Sequence, residues 1–123
     1  MYDLAVFIGR FQPFHKGHLH NITQALEVSN RLLINIGSSF NAPNIKNPFS
    51  FEQRKQMIET DLDAVGIDLS KVIIEPLADY YYQEEKWQQA LKQNVAKHSK
   101  STDKVAIIGH EKDASSYYLK SFV

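Results

Sequence analysis

The apolar run Leu4-Ala5-Val6-Phe7-Ile8 gives way at Gly9 to a loop, and beyond Gly17 the apolar positions Leu19, Ile22, Ala25 and Leu26 recur at helical spacing. A short apolar run bounded by glycine reads as a buried strand, whereas the later spacing is that of one helix face. Strand, glycine loop, helix start is therefore the local order. The same order recurs along the chain: apolar runs at 4–8, 32–36 ending at Gly37, 72–74, and 105–108 ending at Gly109 alternate with amphipathic stretches at 17–29, 51–65 and 84–98. A short fourth helix is expected at 114–119, and Ser121-Phe122-Val123 reads as the approach to a further strand. Alternation of this kind predicts an α/β fold of βαβ units, a parallel sheet covered by helices. With 123 residues the ceiling is one domain, residues 1–123, and no repeat or low-complexity segment interrupts it. In such a sheet, ligands bind beyond the carboxyl ends of the strands, near the point where strand order reverses. The glycine loops fall there.

Fourteen basic and fourteen acidic residues give a formal net charge of zero, which leaves no overall electrostatic footprint for nucleic acid or an anionic membrane. Small-molecule chemistry is favoured. The absence of cysteine removes disulfides, thiolate catalysis and cysteine metal sites, and fits a reducing compartment. The chain starts directly on a strand pattern, with no basic segment followed by a long apolar run, so secretion and membrane spanning are not expected and the cytoplasm is.

The loop Gly9-Arg10-Phe11-Gln12-Pro13-Phe14-His15-Lys16-Gly17-His18 places two imidazoles at a helix start. Unpaired N–H groups of a first turn and the positive dipole end form an anion site, which histidines three residues apart on one face extend outward. Neither G-x-x-x-x-G-K-[ST] nor G-x-G-x-x-G is present, so His15 and His18 must supply what those glycines usually would. A neutral imidazole donates one hydrogen bond, and a protonated one adds positive charge as negative charge builds on the oxygens of a pentavalent phosphorus. No proton transfer is required of them. Two other readings stay open: ordinary surface histidines, or two of three zinc ligands. A catalytic zinc site wants three protein ligands, yet cysteine is absent and His20 points round the helix. His20 and His98 read as surface residues.

After the second strand, Gly37 and Ser38 offer backbone and hydroxyl donors, while Lys46 and Arg54 are cations near a helix that starts at the same cleft. Ser50-Phe51-Glu52-Gln53, preceded by Pro48, is a capping box; Ile58, Leu62 and Val65 share the helix's apolar face, and Gly66 ends it. A polar loop followed by an exposed helical arginine explains these residues equally well. Beyond the third strand, Asp79 precedes Tyr80-Tyr81-Tyr82, which cannot all enter one core, so at least one is exposed or lines the cleft. Trp87, Leu91 and Val95 make a helical stripe that is either core or, at Trp87, a stacking surface. Gly109 is placed to approach a nucleoside and His110 and Lys112 to reach phosphate; a solvated loop is the alternative.

The segment from Gly9 to His18 resembles the H-x-G-H signature of the nucleotidyltransferase superfamily and, in its fuller form G-R-F-Q-P-F-H-x-G-H, the nicotinamide-mononucleotide adenylyltransferases. Gly37-Ser38, the basic residue before Asn47-Pro48-Phe49, and a helix with arginine are similar to the same family. The resemblance implies a Rossmann-like parallel sheet with helices on both faces, and transfer of adenylate from ATP to nicotinamide mononucleotide, giving NAD and pyrophosphate. The nucleophile is already an anion, so the implied catalysis is positioning and charge stabilisation, with Mg²⁺ bound through substrate phosphates and no protein-held metal. It further implies His15, His18, Arg10 and Lys46 as the catalytic set. Gly9, Phe11, Gln12, Gly17, Gly37, Ser38, Gly109, His110 and Lys112 would bind ATP, and Asp79, Tyr80, Trp87 and Asn47 the mononucleotide, the indole stacking on its cationic ring. Lysine at position 46 would meet phosphate as a point charge rather than a fork.

The tail resembles the branch in which the transferase precedes a Nudix hydrolase domain, and a homo-oligomer is a further expectation. One departure stands out: the [ST]-x-x-R motif that follows the family's fifth strand has no counterpart, and Ser101-Thr102-Asp103-Lys104 lacks the arginine. On this reading the domain is C-terminally incomplete, stopping before that strand. Other H-x-G-H enzymes, acting on phosphopantetheine or a polyol phosphate, and a nucleotide-binding unit without turnover are the alternatives.

Overall fold

A computed structural model of the chain describes residues 1–11, 13–37, 48–78, 84–110 and 117–121. Its elements are β1 (Tyr2–Gly9), α1 (Lys16–Val28), β2 (Ser29–Ile36), α2 (Phe51–Ala64), a 3-10 turn (Leu69–Lys71), β3 (Val72–Pro76), α3 (Glu84–Lys97), β4 (Val105–His110) and β5 (Tyr117–Ser121). All four expected strands and all three long helices are present. The strands run one to three residues longer at some ends than their apolar runs, because pairing with a neighbour extends them past the buried centre.

The five strands form one sheet in the order β3-β2-β1-β4-β5. β1 pairs in parallel with β2 (Ala5 opposite Leu32, Phe7 opposite Ile34) and with β4 (Ala5 opposite Ala106, Phe7 opposite Ile108), and β2 pairs in parallel with β3. β5 differs. It pairs antiparallel with β4, Ile108 opposite Leu119 and Ala106 opposite Ser121. The helix expected at 114–119 is therefore corrected over its last three positions, which belong to a strand; 114–116 lie outside the described residues. Tyr117-Tyr118-Leu119 carries aromatic and apolar residues that suit a pleated surface, and β4 offers it a free edge to pair with. Ser121, expected to approach a further strand, belongs to β5 itself; 122 and 123 lie outside the described residues.

Alternation along each strand divides the core in two, as period-two side chains must. Ala5, Phe7, Leu32, Ile34 and Ile36 pack with Ile22 and Ala25 of α1 and Ile58 and Leu62 of α2. Leu4, Val6 and Leu33 pack with Leu91 and Val95 of α3 on the opposite face. Helices thus cover both faces. The capping box of α2 is formed as the sequence predicts: Gln53 N–H donates to Ser50 Oγ at 3.2 Å and Ser50 N–H to Gln53 Oε1 at 2.9 Å. Gly66, at φ 83°, takes the left-handed turn that ends it. Among the described residues no helix is long and apolar enough to cross a membrane.

The chain leaves β1 toward β2 on one side and reaches β4 on the other only after β3. The reversal of strand order therefore lies between β1 and β4, and the Gly9 loop opens at its carboxyl end.

Candidate functional site

The loop after β1 closes on itself through its histidines. His15 is the N-cap of α1, and its Nδ1 accepts from Gly17 N–H at 3.1 Å. His15 N–H in turn donates to Nδ1 of His18 at 3.1 Å. Two imidazoles thus do what a serine and a glutamine do at α2. An imidazole that accepts at Nδ1 carries its proton on Nε2, so each ring has an Nε2–H donor at the end remote from the backbone. Among the described residues neither Nε2 has a partner. The rings stack, centroids 3.6 Å apart at 22°. The first turn of α1 holds no acidic residue, whereas that of α2 holds Glu52. Unlike α2, α1 keeps its positive end for an anion from outside.

An aromatic box fixes His18 from behind. Phe11 meets it edge-on at 4.7 Å, Phe14 lies nearly parallel at 5.5 Å, and Phe7 stands 6.3 Å away. This enclosure withdraws water, and with the neighbouring His15 it lowers the His18 pKa from 6.5 to about 4, burial being the larger cause. His18 is consequently a neutral donor at physiological pH. Phe11 is 2% exposed and adopts φ 53°, a left-handed conformation unusual for any residue but glycine. Its ring packs instead of facing solvent.

Both loop glycines have a reason inside the loop. A Cβ on Gly9 would sit 2.8 Å from Phe11 Cζ, and one on Gly17 would sit 3.0 Å from His15 Cε1 and 3.1 Å from its Nδ1. Gly9 makes room for the aromatic box and Gly17 for the folded-back His15. The exits of β1 and β2 are laced together, Gly37 N–H donating to Gly9 O at 2.8 Å.

Arg54, on the first turn of α2, is 1% exposed, which sets aside the alternative of an exposed helical arginine. Its Nη1 donates to Arg10 O at 2.9 Å and to Gly37 O at 2.7 Å, and its Nε to Ser50 O at 3.1 Å. The Arg10 side chain, in contrast, is exposed at the mouth of the loop. Gly109 and His110 extend β4 beyond its last pairing with β1, which puts their backbone beside the exit of β1. Trp87 is half-buried on α3, one part of its ring packed on the Leu4, Val6 and Leu33 cluster. Gln12, Ser38, Lys46, Asn47, Asp79, Tyr80 and Lys112 lie outside the described residues.

His20 is exposed as expected, but His98 is not a plain surface residue: it is half-buried, and its Nε2 lies 3.3 Å from Glu75 Oε2. Sequence could not pair them, because Glu75 is on β3 and His98 follows α3.

A model of the cytidylyltransferase-like family matches residues 6–120. The chain belongs to that family. This cytidylyltransferase-like chain is 44% identical over 121 residues to a nicotinamide/nicotinic acid mononucleotide adenylyltransferase of Acinetobacter baylyi, covering 98% of this chain and 63% of the relative. It is 45% identical over 74 residues to a nicotinamide-nucleotide adenylyltransferase of Saccharolobus solfataricus, covering 60% of this chain and 43% of that protein. Among solved structures it is similar to a bifunctional NMN adenylyltransferase/ADP ribose pyrophosphatase from Francisella tularensis, at 70% identity and a TM-score of 0.88, over 92% of this chain and 33% of that one. A second structure of that Francisella protein was solved in complex with AMP and a manganese ion and matches at 70% identity, with a TM-score of 0.85, over 87% of this chain and 32% of that one. The chain thus spans less than two thirds of the relatives it matches.

Proposed function

We propose that this chain is the adenylyl-transferring unit of a nicotinamide-nucleotide adenylyltransferase. The observation that carries the proposal is the pair of outward Nε2–H donors, with tautomers set by the backbone, at a helix start that has no acid of its own. The Acinetobacter and Francisella relatives support the choice of substrate.

In the reaction, a 5′-phosphate oxygen of nicotinamide mononucleotide forms a bond to the α-phosphorus of ATP. The bond from that phosphorus to the bridging oxygen breaks, and the electron pair leaves with pyrophosphate. Because the attacking oxygen is already ionised, no general base is needed, and a neutral His18 can donate without transferring its proton. His15 and His18 stabilise negative charge on the triphosphate as it develops, in a half-enclosed site where such donors are worth most. Arg10 and Lys46 steer phosphates. Gly9, Gln12, Gly17, Gly37, Ser38, Gly109, His110 and Lys112 contact ATP, while Asn47, Asp79, Tyr80 and Trp87 hold the mononucleotide.

In this proposal a divalent cation arrives on ATP, bound through its phosphates; a relative was solved with AMP and a manganese ion. Such a cation, Mg²⁺ in this reading, neutralises phosphate charge when bound. A cytoplasmic setting, a homo-oligomer and a hydrolase domain on the same polypeptide belong to the proposal; the Francisella relative is named as both an NMN adenylyltransferase and an ADP ribose pyrophosphatase.

The test is formation of NAD and pyrophosphate from ATP, Mg²⁺ and nicotinamide mononucleotide, with His18→Ala alongside. Loss of one preorganised donor should lower turnover by roughly two to three powers of ten. Turnover with phosphopantetheine and none with the mononucleotide would overturn the substrate, and an undiminished His18→Ala rate would overturn the mechanism.

A further inference from the structure

Arg54 is 1% exposed, its guanidinium withdrawn from water, which for a group that is always charged carries a large desolvation cost. Its contacts reach beyond its own helix, whose cap Ser50 and Gln53 already complete. Two of them reach carbonyls far away in sequence, those of Arg10 and Gly37, at the exits of β1 and β2. Another contact, to Ser50 O, ties in the start of α2. One rigid fork therefore fixes three segments that border the phosphate loop.

A second observation lies one residue away. The Arg10 carbonyl that Arg54 holds immediately precedes Phe11, whose φ of 53° is a conformation L side chains adopt only where the surroundings impose it. Phe11 then lays its ring edge-on against His18 at 4.7 Å. The contacts run from Arg54 through the Arg10 carbonyl and the Phe11 turn to the imidazole.

We propose that Arg54 is a positioning residue for phosphate binding: it sets the Phe11 turn, and with it the placement of His15 and His18, without touching the nucleotide. The proposal rests on the nucleotide-binding reading of the loop given above. Lysine cannot reproduce it, since an ammonium is a point charge without the planar fork that spans these carbonyls.

The test compares Arg54→Lys with Leu62→Ala, a core truncation two turns further along the same helix, with no hydrogen bond to lose. Two readouts are taken: affinity for Mg-ATP by calorimetry, and hydrogen exchange at the Gly37 and Gly17 amides relative to the Val6 amide in the centre of β1. In Arg54→Lys the affinity should fall about ten- to hundredfold, and exchange at Gly37 and Gly17 should rise about tenfold over Val6. Leu62→Ala should lower thermal stability and change neither ratio. If Arg54→Lys loses stability as Leu62→Ala does while both ratios hold, Arg54 merely supports the fold and the proposal fails. If the wild-type chain binds no Mg-ATP, the proposed function fails, and the exchange ratio alone decides the role of Arg54. Arg54→Gln replaces the lysine variant if that does not fold, and failure of both to fold overturns the proposal.

Discussion

His18 is the residue on which most of the site depends, and its enclosure has a consequence for stability. Its folded pKa of about 4 lies below the ordinary 6.5, so the unfolded chain takes up the proton first as pH falls. The stabilisation it contributes is intact above about pH 6.5 and is lost as pH drops toward about 4. His18→Gln, which keeps a donor but does not titrate, should remove that part of the acid sensitivity. Measured by denaturant unfolding, the stability difference between wild type and variant should shift against wild type between these limits; parallel curves would show that His18 is not held neutral by its box. The two glycines separate packing from function. Gly9→Ala drives a Cβ into a buried ring and should cost about 1–3 kcal/mol. Gly17→Ala meets an exposed ring that can swing away, and alanine is the better helix former by up to about 1 kcal/mol, so stability should hold. Mg-ATP affinity should nevertheless fall about tenfold, the loss of one hydrogen bond's worth of binding, because the displaced His15 leaves its stack on His18. Equal losses of stability in both variants would contradict the roles assigned.

At the scale of elements, the strands and long helices could be read from sequence because each is declared locally, by an apolar run or by 3.6-residue spacing with a cap. The histidines could be read for the same reason: they sit at a strand-loop-helix junction. What could not be read was decided by partners distant in sequence. β5 is a strand because β4 presents an edge to it, Arg54 is buried because the exits of β1 and β2 bring two carbonyls to one point, and His98 is half-buried because Glu75 lies across from the end of α3. Phe11 as a left-handed residue has no sequence signal at all, although Gly9, two positions earlier, marks the space its ring needs. α3 leaves one question to experiment. Trp87 packs partly on the core and is half-buried, so the stripe it forms with Leu91 and Val95 does not consume the whole indole. Nicotinamide mononucleotide should quench Trp87 fluorescence on binding, through stacking of the cationic ring. Unchanged emission with binding confirmed by calorimetry would assign Trp87 to the core alone.

For the whole molecule, the sheet organises the site by placing its central strand, β1, at the reversal of strand order, so that the exits of β1, β2 and β4 converge. Two-sided burial of β1 makes this platform rigid: Leu4, Ala5 and Val6 are fully buried and Phe7 nearly so. The outer strands are less protected, with β3 at one edge and β5 at the other, and unpaired edges are where further structure docks. The match to the Acinetobacter relative covers 63% of that protein, and this chain has no [ST]-x-x-R segment to add an arginine to the phosphate contacts proposed for His15, His18 and Arg10. We therefore expect the 123-residue chain to bind Mg-ATP through the β1 loop but to form NAD slowly. Appending the part of the Acinetobacter protein beyond the match should raise turnover by roughly two to three powers of ten, the usual effect of completing a preorganised charge site. Affinity at the β1 loop should change far less, since its donors are fixed by Phe11, Phe14 and Arg54 within this chain. Side-by-side rates for the two forms check this, and equal rates would show that the five-stranded unit transfers adenylate without a second phosphate motif.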